Sequence, residues 1–330
     1  MLHADQALGK YKVVSMLGSG GFGSVYLAVD TWLDKKVALK VPHRQNLNFS
    51  ELLREPRLLA TLDHPNIVSV TTAEKQDDIF FIVMEYVPSE TLETVIAASG
   101  QFEIDRAVDH ALQIARAVEH AHAQDIIHRD LRPGNVLVSE AGTLKVADFG
   151  TARVIEIAAR GTTIIGSPPY MAPEQFRGEA VFASDLYSLG ITVYQMLTGA
   201  LPYQAPTPSD LDRLQRGELV RSPRLLNGAI PTALSDVVMQ ALAPKVANRY
   251  QRASEFIVDL ERVRDGRRAT PPPSAAPNAV PPRNGAPETS VSQIQGPRGA
   301  SGTPAGGFCW HCRKPLHARA DHCPFCGEAP

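Results

Sequence analysis

Leu17-Gly18-Ser19-Gly20-Gly21-Phe22-Gly23-Ser24-Val25 holds a G-x-G-x-x-G run, and what stands on either side of it decides the fold. Upstream, Tyr11 to Leu17 reads as a short strand of β-branched and aromatic residues; downstream, Ser24 to Val29 reads the same way, and Lys36 to Val41 follows as a third. A dinucleotide-binding loop leads from a strand into a helix. Here the chain leaves the glycines as another strand, which favours a glycine lid laid over nucleotide phosphates in a small twisted sheet. Glycine suits that place because a missing side chain lets backbone amides approach phosphate oxygens. Standing alone, the run also reads as a plain glycine-rich hairpin.

Outward from the lid, residues 11–265 alternate apolar periodic segments with short Gly, Pro and Asp punctuation, the pattern of a packed domain. The first third is β-rich. The remainder is helical, with Ile104 to Ala123 and Ser184 to Leu197 placing apolar residues at three- and four-residue intervals. The expectation is an α+β, two-lobed domain with a β-rich N-lobe and a helical C-lobe. Residues 266–307 are rich in Pro, Gly, Ala and Ser and cannot offset the entropy of ordering, so they read as a flexible linker. Residues 308–330 crowd Cys, His and aromatic residues into a module too small for a core of its own.

Composition bounds the function classes. With 44% hydrophobic residues in 330, the chain can bury a large core, and a net charge of −2 gives no whole-chain reason to expect nucleic acid as a partner. Met1 to Lys10 lacks the apolar core of a signal peptide, and the apolar run Ile79 to Met84 is far short of the roughly 18 residues a membrane span needs. The expectation is a soluble, cytoplasmic protein. All 4 cysteines lie near the C-terminus in two C-x-x-C pairs, which in a reducing compartment points to metal binding and not to disulfides.

Further motifs follow the lid in order. Val37-Ala38-Leu39-Lys40 places a cation on the third strand, where nucleotide phosphates would lie. Then come His128-Arg129-Asp130-Leu131-Arg132-Pro133-Gly134-Asn135, Asp148-Phe149-Gly150 and Ala172-Pro173-Glu174. From about Tyr11 to Asp265 the chain resembles the eukaryotic-like (Hanks-type) protein kinases, and more closely their bacterial serine/threonine branch. The resemblance implies ATP and Mg²⁺ (or Mn²⁺) as cofactors and protein Ser/Thr hydroxyls as acceptors. It implies that Asp130 accepts the hydroxyl proton, that Asn135 and Asp148 hold the metal, and that Lys40 fixes the phosphates. It also implies Leu17, Gly18, Ser19, Gly20, Gly21, Phe22, Gly23, Ser24, Val25 and Ala38 around the nucleotide, Met84 as gatekeeper, and Glu85 and Val87 at the adenine hinge. Asp185 would anchor the catalytic loop and Arg249 would pair with Glu174. Each residue has a plainer reading, as a surface ion pair, a cap or ordinary strand packing.

Two positions depart from the family's pattern. Glu55 stands where a glutamate pairs the lysine, yet Pro56 follows it, so the helix either starts near Pro56 or is kinked there. Arg132 stands where serine/threonine kinases usually carry lysine; the charge is kept and the geometry changes, because a planar guanidinium is not a compact ammonium. Regulation follows from Arg129 before Asp130, which in the family accompanies phosphorylation between the D-F-G and A-P-E motifs. Thr162 and Thr163 lie there, and a phosphate's charge of roughly −1.5 to −2 could order the segment against Arg129, Arg153 or Arg160; the alternative is two solvated loop threonines.

Cys309, Cys312, Cys323 and Cys326 form C-x₂-C-x₁₀-C-x₂-C, resembling a zinc ribbon that closes a tetrahedral structural Zn²⁺ site. A redox dithiol or iron site is the alternative. Its nearly balanced charge favours protein docking over nucleic acid. Against the kinase reading stand a pseudokinase scaffold, motivated by Pro56 and Arg132, and a small-molecule kinase, which the A-P-E segment and the loop Gly166 to Tyr170 oppose.

Overall fold

In a computed structural model, the structure describes residues 2–21, 23–43, 45, 52–149, 167–204 and 206–269. The linker from 270 onward, the cysteine module and Thr162 and Thr163 lie outside them. So do Phe22 of the lid and Arg153 and Arg160 of the loop.

Six strands form one antiparallel sheet: β1 (Ala7–Leu8), β2 (Tyr11–Gly20), β3 (Gly23–Asp30), β4 (Lys35–Pro42), β5 (Val70–Gln76) and β6 (Ile79–Glu85), in the order β1-β2-β3-β4-β6-β5. The three strands expected from the sequence are β2, β3 and β4, each slightly longer. Period-2 alternation sorts their side chains into two clusters. Tyr11, Tyr26, Val37, Leu39 and Phe81 pack on one face. Ala38, Ile82 and Met84 pack on the other, with Val25 against them. The short helix α1 (Arg54–Leu59) precedes β5.

The second half is helical: α2 (Leu92–Ser99), α3 (Ile104–His122), α4 (Phe182–Thr198), α5 (Pro208–Gln215), α6 (Thr232–Ala241) and α7 (Ala253–Ala269). Alanine lines the buried side of α3, where Ala107, Ala111, Ala115 and Ala121 are fully buried, so neighbouring helices approach closely. Gly190 serves the same end in α4: a Cβ there would stand 3.0 Å from the Ala241 Cβ of α6. The helix α7 runs past Asp265 to Ala269, through positions whose polarity resembles linker. Arg267 pairs there with Asp105 at the start of α3, Nε to Oδ1 at 2.7 Å. Among the described residues no helix is long and apolar enough to cross a membrane.

A small sheet joins β7 (Ser89–Thr91), which precedes α2, to β8 (Val136–Ser139) and β9 (Leu144–Val146), which follow α3. Val68 N–H donates to Val146 O at 2.9 Å and Val146 N–H to Asn66 O at 2.8 Å, so the segment ahead of β5 is tied to β9.

Candidate active site

The lid is the hairpin between β2 and β3, in which Gly20 pairs with Gly23. Its glycines are of two kinds. A Cβ on Gly23 would stand 2.5 Å from the carbonyl oxygen of Val41, so the sheet itself requires that glycine. A Cβ on Gly18, Gly20 or Gly21 would meet nothing within 4 Å among the described residues. The fold does not need those three bare, which fits a surface kept free for phosphates. The hairpin is held at two points: Ser19 Oγ and Ser24 Oγ lie 3.0 Å apart, and His43 Nε2 lies 2.8 Å from Gly20 O. A carbonyl only accepts, so His43 Nε2 carries the proton.

Under the lid, Val25, Ala38 and Met84 share an apolar face while Leu17 stays about half exposed. Two residues on from Ala38, Lys40 comes off β4 on that same face and is buried. Its Nζ reaches Asp148 Oδ1 at 2.9 Å. Burial pushes the Asp148 carboxyl up, but the charge and hydrogen bond of Lys40, helped by His128 and Arg132, outweigh this and hold it below 3.8. It therefore stays an anion at neutral pH. Behind the pair lies a small cavity lined by Leu59, Leu62, Ile67, Met84 and Phe149.

Glu55 lies on α1, its side chain outside the described residues. Pro56 sits in the first turn of that helix, which begins at Arg54. A first-turn N–H has no partner inside its helix, so proline fits that position; just ahead of it Leu52 is itself helical and Leu53 is a turn, an interruption next to the proline.

Asp185, in the first turn of α4 and 1% exposed, organises the catalytic loop. It accepts from His128 N–H, Arg129 N–H and His122 Nε2, each at 2.8 Å. Burial raises its pKa; these donors more than offset that, and the carboxyl sits below its ordinary value. The clamp fixes Arg129 in the left-handed region at φ 69°, and Asp148 adopts φ 62°. Non-glycine residues hold such angles only where the surroundings over-determine them. Gln175 Nε2 donates to Arg129 O at 2.9 Å, tying in the A-P-E segment.

The loop then presents a carboxylate and an amide together. Asp130 Oδ1 accepts from Ser167 N–H at 3.0 Å, and Asn135 Nδ2 donates to Asp130 O at 2.7 Å and Oδ2 at 3.2 Å. With its NH₂ committed to Asp130, Asn135 keeps its amide oxygen for a hard cation, the ligand type Mg²⁺ takes. An ionised Asp148 supplies a second. The residues present fit the metal. His128 is buried, its Nε2 3.0 Å from Ala147 O and its ring 4.6 Å from Phe149.

Glu174 and Arg249 form a buried bidentate pair, at 2.7 and 2.8 Å, which Ser184 Oγ joins at 2.6 Å. At the end of β6, Glu85 uses its side chain structurally: Oε1 accepts from Ser69 N–H at 2.9 Å and from Lys145 Nζ at 2.8 Å. Its own N–H donates to Ser69 O at 3.0 Å, and Val87 O accepts from Ser89 Oγ at 3.1 Å.

Sequence reasoning missed His122, His43, Glu93 and Lys145. All four pair with residues at least 23 positions away. Their types and spacing carry no signal of that.

The chain matches the family model of the protein kinase domain over residues 11–276. It is 37% identical over 262 residues to "Probable serine/threonine-protein kinase CPE1738" of Clostridium perfringens, covering 77% of this chain and 38% of that protein. To the serine/threonine-protein kinase PrkC of Bacillus subtilis it is 34% identical over 275 residues, 81% of this chain and 42% of that one. The chain thus spans about two fifths of the length of these relatives. Among solved structures, Rad53 1-466 in complex with AMP-PNP matches with TM-score 0.66 and 27% identity, over 75% of this chain and 64% of that chain. With a family model spanning most of its length and relatives above 30% identity, the chain belongs to the protein kinase family, which implies ATP and Mg²⁺.

Proposed function

We propose that this chain transfers the γ-phosphoryl group of ATP to serine and threonine hydroxyls of protein substrates, itself included. The observation that carries the reading is the pairing of Asp130, fixed by Asn135 and the Ser167 amide, with an ionised Asp148 on Lys40. Phosphoryl transfer leaves the protein mainly positioning and charge neutralisation to perform. Asp130 orients the acceptor hydroxyl and takes its proton as the oxygen attacks the γ-phosphorus and the bond to ADP breaks. Lys40 fixes the phosphates, Arg132 adds a second cation, and the bare backbone of Gly18, Gly20 and Gly21 lies over them. Asn135 and Asp148 would hold Mg²⁺ (or Mn²⁺), whose chemistry there is neutralisation of phosphate charge. Adenine would sit between Leu17, Val25, Ala38 and Met84. With Glu85 N–H spent on Ser69, the hinge contacts to adenine would be made by the Glu85 carbonyl and by Val87 N–H.

The domain is read as 11–265, followed by a linker over 266–307 and a ribbon over 308–330. Phosphorylation of Thr162 or Thr163 would activate the kinase through Arg129. The four cysteines Cys309, Cys312, Cys323 and Cys326 would hold structural Zn²⁺ and present a protein-docking module. Serine/threonine specificity is supported by the names of the relatives and by Pro133 with the loop ahead of Tyr170.

The test is incubation of the full chain with labelled ATP and Mg²⁺, phosphoamino-acid analysis, and mass spectrometry of peptides from Asp148 to Glu174. Phosphoserine and phosphothreonine, with Thr162 or Thr163 modified, are expected. ATP binding with no transfer would replace this reading with the scaffold.

A further inference from the structure

The arginine at position 132 brings a larger head group than lysine into the catalytic loop, and the structure shows where it is seated. Its Nη1 lies 3.3 Å from both carboxylate oxygens of Glu93, in the first turn of α2. A Cβ built on Gly134 would stand 2.5 Å from Arg132 Nη1, 2.6 Å from Cζ and 2.8 Å from Nη2. The guanidinium thus lies against a bare Cα, in space that any other residue at 134 would fill. Arg132 Nε is buried there with no hydrogen-bond partner among the described residues.

We propose that Gly134 and Glu93 are positioning residues for Arg132: the glycine opens the slot the guanidinium occupies, and the glutamate draws the guanidinium into it. Arg132 and Gly134 then act as one unit, an arginine at 132 being useful only with glycine at 134. The inference rests on the reading of the chain as a kinase. The two positioning residues differ in weight. Glu93 is about half exposed, and an exposed ion pair affects such a seat by no more than about fivefold. The collision at 134 cannot be screened. The atoms a Cβ would meet are the far end of a flexible side chain, so alanine at 134 moves the arginine and leaves the backbone in place.

The test is a double-variant cycle on the full chain, with kcat, KM for ATP and Tm measured for wild type, Gly134→Ala, Arg132→Lys and the pair combined. Gly134→Ala should lower kcat by about tenfold or more, as displacing a preorganised charge does, with Tm unchanged. In the Arg132→Lys background the same alanine should have no further effect, because a compact ammonium needs no slot. A second readout needs no nucleotide: in ¹⁵N-arginine-labelled protein, the Arg132 Nε–H resonance, identified by its loss in Arg132→Lys, should be shielded from water exchange in wild type. It should lose that shielding in Gly134→Ala and only partly in Glu93→Gln. A wild-type chain that transfers no phosphate sinks the kinase reading and this proposal with it. An active wild type whose Gly134→Ala variant keeps both kcat and the shielded resonance, or effects at 132 and 134 that simply add, overturns this proposal alone.

Discussion

The glycine lid and the catalytic loop, which the proposed reaction uses together, are built by opposite rules. In the lid, three glycines face open space, Leu17 stays half exposed, and the hairpin is held by one serine pair and one histidine. In the loop, a buried carboxylate takes three donors, Arg129 is held at positive φ, as Asp148 is in the D-F-G motif, and Asp130 is fixed from two sides. The difference teaches where order has been placed before any substrate arrives. Groups that handle the proton and the phosphate charge are fixed in advance; the surface that must take up and release a nucleotide is left unfilled. The left-handed residues cost on the order of 1–3 kcal/mol each, and Asp185 is the group that holds Arg129 in that state.

The sharpest way to break the contrast is to remove the clamp. Asp185→Ala leaves His122 and two backbone amides without their acceptor and should destabilise the domain by about 3–5 kcal/mol, read by denaturant unfolding, and abolish transfer. Loss of less than about 1 kcal/mol would mean that the loop is not held as described. In the wild type this contribution is fully present above about pH 4, because the folded carboxyl lies below its ordinary 3.8, and it is lost as pH falls through the folded value.

A second test uses His110 on α3, whose ring is buried and whose pKa is lowered from 6.5 to about 4 by burial and by Arg106. Between those values the unfolded chain binds a proton that the folded chain does not, so stability rises with pH across the window and is complete above about 6.5. Taking the domain from pH 7 to 4.5 should cost wild type about 2–3 kcal/mol more than His110→Gln. Parallel pH profiles would show that this buried half admits a charged histidine.

On the lid the expected effects are smaller and split by position. Gly23→Ala collides with the Val41 carbonyl and should cost about 1–3 kcal/mol. Gly21→Ala should stay within about 0.5 kcal/mol in stability while raising KM for ATP. Equal destabilisation by the two would erase the distinction between a glycine kept for the sheet and one kept for the nucleotide. Smallest of all, His43→Ala should leave Tm nearly unchanged and speed nucleotide release, with His43→Gln restoring the hydrogen bond to Gly20 and slowing it again.

Much of the contrast was legible in the sequence because it is local. The strands on either side of Gly18 to Gly23 announce themselves by β-branched spacing, and Asn135 follows Asp130 closely enough that both belong to one turn. Pro56 was legible only as a choice between a late start and a kink; α1 takes the proline in its first turn, and the helical Leu52 followed by a turn at Leu53 sets an interruption just ahead of it. The clamp was half legible. Asp185 is found through the family's pattern, but His122 pairs with it across a helix-to-helix contact that no spacing encodes. Arg132 and Gly134 stand two residues apart in the chain, yet that the guanidinium turns back onto Gly134, beside Glu93, is not encoded in the spacing. The helix α7 continues past Asp265 to Ala269 with no sequence signal of it, because Arg267 is held there by charge and not by apolar periodicity.

The measurement that reaches the centre of the account is transfer by Asp130→Asn beside wild type, with ATP binding followed by calorimetry in both. The variant should bind ATP with Mg²⁺ about as wild type does, since Lys40, Asn135 and Asp148 are untouched, and should transfer no measurable phosphate to serine or threonine. Transfer by the variant at a rate near that of wild type would contradict the role given to Asp130 and the mechanism built on it.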